Sequence, residues 1–117
     1  MRLKVLTLNI HKGFSSYRRR PILERLREAL RESSADLVFL QEVAWRTDKA
    51  QCEYLADQVW QEHAYGKNAV YDQGHHGNAI LSKYNFQMSM NTDISSSRWE
   101  RRGFLYASLI VEQRILH

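Results

Sequence analysis

The stretch Asp36-Leu37-Val38-Phe39-Leu40-Gln41-Glu42 constrains the fold of this chain more than any other. Leu37 to Leu40 form an unbroken apolar run, which suits a strand covered on both faces better than one with a wet side. Such a strand is central to its sheet, and an acid stands at each end of the stretch. In open α/β sheets the crevice beyond the carboxyl ends of parallel strands is where ligands and metals are held. Glu42, at that end, is the first candidate for a working residue.

The segments before it supply the rest of a βαβ unit. Leu3 to Ile10 alternates and is rich in leucine, valine and threonine, the pattern of a first strand that ends at Asn9-Ile10-His11 and breaks at Lys12-Gly13. Asn9 and His11 fall on one side of it at period two. A polar loop follows and ends in Arg18, Arg19 and Arg20, and Pro21 suits the first position of a helix. Ile22, Leu23, Leu26, Ala29 and Leu30 recur at helical spacing until Ser33-Ser34. A right-handed crossover would leave the two strands parallel. Asn9 and Glu42 then share one edge of the sheet, an amide and a carboxylate directed into one crevice.

Cys52, Leu55, Ala56 and Val59 mark a second helix, with Thr47 or Asp48 as its cap. After Gly66 the pattern changes to strands at Asn68 to Tyr71, Gly77 to Ser82, Phe86 to Asp93 and Gly103 to Val111, and Ile115-Leu116-His117 opens another. His75 and His76 are expected in a polar turn that sets Asn78 at a strand start. They do not make a zinc site, because zinc takes about four ligands and no partner pattern accompanies them.

At 117 residues the chain forms one small domain or a piece of a larger one. Seventeen basic against thirteen acidic residues give a net charge of +4, compatible with a polyanionic partner such as nucleic acid or a phospholipid head group. The single cysteine, Cys52, rules out an intrachain disulfide and points to a reducing, cytoplasmic setting. No stretch has the length of an apolar membrane span. Arg18 to Arg20 and the group Arg98, Arg101 and Arg102 are candidate phosphate contacts or solvated basic turns.

A carboxylate with a neutral amide and room for water is a sparse oxygen site of the sort Mg²⁺ tolerates, since that ion keeps much of its hydration. Mn²⁺ accepts the same ligands. The plainer alternative is that Glu42 begins a capping turn and Asn9 ends a strand.

Taken in order, Leu6-Thr7-Leu8-Asn9-Ile10-His11, Asp36 to Glu42, Gly77-Asn78-Ala79-Ile80-Leu81-Ser82 and Arg102-Gly103 before a strand resemble the N-terminal half of the endonuclease/exonuclease/phosphatase family, over nearly the whole chain. The form with Asn-Ile-His-Lys-Gly is most similar to bacterial members. The resemblance implies an α/β fold in which residues 1–117 are the N-terminal half of a four-layer αββα sandwich, one mixed sheet with two helices on one face, ending before the second sheet. It implies a Mg²⁺-dependent phosphoesterase, with Glu42 as metal ligand, Asn9 as active-site amide, and His11, Asn78 and Arg102 as phosphate contacts. His11 stands where the DNA-repair members carry an acid, which turns the assignment away from repair. The family's later Asp-x-Asn, histidine and Asp-His motifs have no match here. The chain alone is therefore expected to be inactive, and to cover its last strands with another copy or a further half of the fold. The reading from another class is a non-catalytic basic module that binds nucleic acid or protein.

Overall fold

The computed structural model describes residues 2–10, 19–46, 51–57, 59–71, 74–96 and 103–117. The elements run β1 (Val5–Asn9), α1 (Arg19–Ser33), β2 (Leu37–Arg46), α2 (Gln51–Ala56), β3 (Glu62–Tyr71), β4 (Gly74–Ser82), β5 (Phe86–Asp93), β6 (Gly103–Val111) and β7 (Arg114–Leu116). Asp36 ties the start of the first sheet together. Its carboxylate accepts from the Lys4 N–H at 2.8 Å, its own N–H donates to the Lys4 carbonyl at 2.8 Å, and its carbonyl accepts from the Lys83 N–H at 3.1 Å. The entrances to β1 and β2 and the exit of β4 thus meet at one residue.

The first sheet has the order β1-β2-β4-β3, with β1 parallel to β2 and the other pairs antiparallel. The mixed sheet expected from the sequence is present. Leu37, Val38 and Leu40 are buried, as a central strand requires, and they divide between two cores by the alternation of the pleat. Val38, Leu40, Val43, Ala79 and Leu81 face α1 and α2, meeting Leu30, Cys52, Leu55 and Ala56. Burying a leucine such as Leu40 or Leu55 contributes about 1.5–3 kcal/mol. Trp60 fills the edge of this core and donates its indole N–H to the Ala35 carbonyl at 3.0 Å, so its polar end is satisfied where water cannot reach.

α1 begins two residues earlier than Pro21, with Arg19 and Arg20 inside its first turn rather than before it. Proline is tolerated there because the first-turn N–H groups have no helical acceptor. Leu23 and Leu30 are buried and Leu26 half-buried, whereas Ala29 faces solvent. Ser34 takes a left-handed conformation at φ 55° and ends the helix. α1 is fastened to α2 by Arg27, whose guanidinium lies 3.0 Å from an Asp57 carboxylate oxygen and 4.8 Å from the Tyr54 ring centre.

Two expectations for the later strands are corrected. His75 and His76 lie within β4, not in a turn, because β4 pairs with β3 from Glu62↔Ser82 out to Tyr71↔Gly74. The Tyr65 hydroxyl meets His75 Nδ1 at 2.9 Å across this hairpin. Burial, and then the nearby Lys67 charge, hold the His75 imidazole below its ordinary pKa. Furthermore, the chain does not end before the second sheet: β5, β6 and β7 form a three-stranded antiparallel sheet of their own. Their inner face packs on the side of the first sheet away from the helices, where Leu37 meets Leu109 and Val111, flanked by Leu3, Tyr84, Phe86 and Leu116. One apolar face of β6, that of Leu109 and Val111, is covered by the first sheet, while Phe104 and Ile110 on the other remain exposed. The layers in this chain are therefore helices, mixed sheet and antiparallel sheet.

Candidate functional site

The site is set by the register of β1 on β2. Asn9 pairs with Gln41, and the Ile10 N–H donates to the Gln41 carbonyl at 3.0 Å, so Glu42 is the residue that follows where the parallel pairing of β1 with β2 ends. Thr7 and Asn9 lie on the face toward the second sheet, while Ile10 turns into the helix-side core. Gln41 shares the face of Thr7, donating from Nε2 to the threonine hydroxyl at 3.1 Å.

Glu42 is not the last residue of its strand. β2 continues to Arg46 through a bulge: Leu40 pairs with Ala79 and Val43 with Gly77, leaving Gln41 and Glu42 opposite Asn78 alone. The extra residue lets Leu40 and Val43, three apart in sequence, both enter the helix-side core. Glu42 takes φ 55° to accommodate it, a left-handed backbone that costs an L-residue other than glycine about 1–2 kcal/mol. A bulge within a strand re-aims a side chain, and strain of this kind gathers at working sites. Glu42 is half-buried and Asn9 exposed.

Asn78 also faces the second sheet, donating from Nδ2 to the Gly103 carbonyl at 3.3 Å. A cavity of about 210 Å³ opens beside it, lined among others by Phe39, Gln41, Ile80, Phe104 and Leu105. Asn9, Glu42 and Asn78 are thus brought to one edge by three adjacent strands. His11, Arg102 and the rest of the Arg98 to Arg102 group lie outside the described residues, as does Arg18. Sequence reasoning passed over Asn68 and Asn91, which meet behind Asn78. The available signal was Gly66 and Gly103, since glycine within a strand marks close approach of another segment.

The donors at this edge are oxygens of a carboxylate and of amides, which suits a hard cation such as Mg²⁺ and not a zinc centre. Among the described residues no three His, Cys, Asp or Glu side chains come together, so Glu42 is not part of a multi-carboxylate cage there. Cys52 takes no part. It is wholly buried against the sheet, and burial, followed by the neighbouring Glu53 charge, pushes its thiol up to about 12.

Comparisons with known proteins bear on the family and the fold. The protein YbhP of Escherichia coli K12 is 48% identical over 119 aligned positions, covering 92% of this chain and 47% of its own length, and YbhP of Shigella flexneri matches equally. The chain therefore spans about half the length of the curated relatives it matches. An endonuclease/exonuclease/phosphatase from Beutenbergia cavernae superposes with a TM-score of 0.78 at 20% identity, over 94% of this chain and 35% of that one. A family protein from Leptotrichia buccalis gives 0.72 at 13% identity, over 97% and 52%. A humanized TDP2 of D. rerio gives 0.62 at 20% identity, over 97% and 43%. At these identities the solved structures show the shared fold. The sequence profile of the endonuclease/exonuclease/phosphatase family matches residues 6–113, and the chain belongs to that family.

Proposed function

We propose that this chain carries the metal-binding side of a phosphoester-hydrolysing site, with Glu42 as the ligand to Mg²⁺ or Mn²⁺ and Asn9 as the amide beside it. The observation that carries the reading is the bulge that turns Glu42 into a strained conformation next to Asn9, at the carboxyl end of a parallel strand pair. When bound, the ion polarises a phosphoryl oxygen and neutralises charge on the leaving oxygen. Asn9 can donate to a phosphoryl oxygen or accept from an attacking water, and Asn78 lines the same edge. His11 and Arg102 are the proposed phosphate contacts. The substrate class is a phosphodiester or phosphomonoester, from nucleic acid or a phospholipid head group, and a reducing cytoplasmic setting fits the single buried thiol.

One carboxylate holds a hydrated ion loosely, so affinity should be weak. Hydrolysis also needs a general base within reach of the water, and the chain by itself is proposed to lack one and to be inactive. Calorimetric titration of Mg²⁺ into wild type and Glu42→Gln tests the reading. Heat of binding is expected in the first and not in the second; equal binding by both would remove Glu42 from the role.

A further inference from the structure

We infer that Asn91, on the second sheet, is a positioning residue for this site: it locks a bulge in β3 that fixes, through β4, where Asn78 and Glu42 stand. The inference rests on the reading of Glu42 given above.

β4 is held between two bulges. On its β2 side Gln41 and Glu42 oppose Asn78. On its β3 side Lys67 pairs with Gly77 and Ala69 with His76, so Asn68 is the extra residue. The step Gly77-Asn78 therefore touches both irregularities, and a shift in one is passed across a single strand to the other. A bulge breaks the ladder locally and leaves backbone groups to find other partners. Asn91 supplies one. It lies on the inner face of β5, paired with Leu105, and its Nδ2 donates to the Lys67 carbonyl at 3.1 Å and lies 3.4 Å from Asn68 Oδ1.

The fit around Asn91 is tight. A Cβ built on Gly66 would overlap Asn91 Oδ1, and one built on Gly103 would come within 2.9 Å of it and overlap Asn68 Oδ1. The two sheets approach this closely only because both positions are glycine. Among the described residues Asn91 Oδ1 is buried with no hydrogen-bond partner, and it lies beside Gly66 and Gly103. A buried acceptor left so is costly, and its cost is offset only if the other end of the amide is needed where it stands. The contacts close a ring: Asn91 to the β3 bulge, β3 to Asn78 on β4, Asn78 to the Gly103 carbonyl, and β6 back to β5.

Asn91→Ala and the near-isosteric Asn91→Asp both remove the donor. Two measurements on the full chain follow: the backbone amide resonances of Gln41, Glu42 and Asn78, and the Mg²⁺ affinity by calorimetry. Both variants are expected to move the Glu42 and Asn78 amides and to weaken Mg²⁺ binding about 10-fold or more, the range seen when a residue behind a metal ligand is removed. Ser108→Ala, which deletes the 3.2 Å hydrogen bond to Gln87 in the same sheet, should change neither. Resonance changes confined to residues touching Asn91, with wild-type Mg²⁺ affinity, would overturn the inference, as would collapse of both variants to unfolded chain, which would make Asn91 a general structural residue. If the Glu42 amide moves but Glu42→Gln itself binds Mg²⁺ normally, the coupling stands and the metal reading fails.

Discussion

Glu42 illustrates how a working residue is set against the comfort of its own backbone. At φ 55° a glycine would be unstrained, whereas glutamate bears about 1–2 kcal/mol. Glycine in turn loses more chain entropy on folding, by about 0.5–1 kcal/mol. Glu42→Gly should therefore leave the unfolding free energy unchanged or raise it by up to about 1.5 kcal/mol, while Mg²⁺ binding is lost. A denaturant titration that instead shows a loss above about 1 kcal/mol would make Glu42 a structural carboxylate. Cys52 is the opposite case, a residue set by packing alone. Its folded pKa is raised from 9.0 to about 12, so the neutral thiol is the form the native state prefers. The stability this contributes is fully present below pH 9 and is lost as the pH rises toward 12, at no more than about 1.4 kcal/mol per unit. Cys52→Ser should flatten that alkaline slope in thermal melts, and the native thiol should stay inert to alkylating reagents at pH 8.

At the scale of elements, the β6–β7 hairpin turns through Glu112 at φ 49° and Gln113 at φ 67°, with Val111 paired to Arg114. Two left-handed residues in a two-residue loop define the turn shape that asparagine and glycine prefer. Replacing Glu112-Gln113 by Asn-Gly should raise the unfolding free energy by about 1 kcal/mol, and an unchanged denaturation midpoint would count against the turn geometry. The same mismatch explains what the sequence concealed. The central strand, the βαβ crossover and the shared edge of Asn9 and Glu42 were legible because apolar runs and helical spacing report burial directly. The bulge at Glu42 and the turn before β7 were not, since residues poorly suited to positive φ occupy both and leave no glycine signal. β3 was expected only from Asn68, although Glu62 to Lys67 already pair with β4. The short run around Ala64 carries too few apolar residues to announce a strand.

At the scale of the whole molecule, the described residues leave one side of the second sheet uncovered. Met88 and Met90 on β5, Phe104 and Ile110 on β6 and Ile115 on β7 are neighbours through the pairs Met90↔Tyr106, Thr92↔Phe104 and Ile110↔Ile115, which places them on a common outer face. They are 48%, 52%, 60%, 46% and 52% exposed, respectively, a run of large apolar side chains that soluble monomers seldom present together. In the αββα arrangement that the family resemblance implies, a second helical layer would pack against such a face. The 117-residue chain on its own should therefore self-associate through it, and light scattering should give a mass above that of one chain. Phe104→Ser combined with Ile110→Thr should shift the population toward monomer without loss of the far-ultraviolet signal, because neither side chain belongs to a buried core. A wild-type chain that remains a compact monomer at high concentration would contradict the argument. An assay on a generic phosphodiester with Mg²⁺ completes the test at this scale: turnover abolished by Glu42→Gln would show that the chain carries a full catalytic set, while its absence, together with retained Mg²⁺ binding, is what a site with a metal ligand and no base should give.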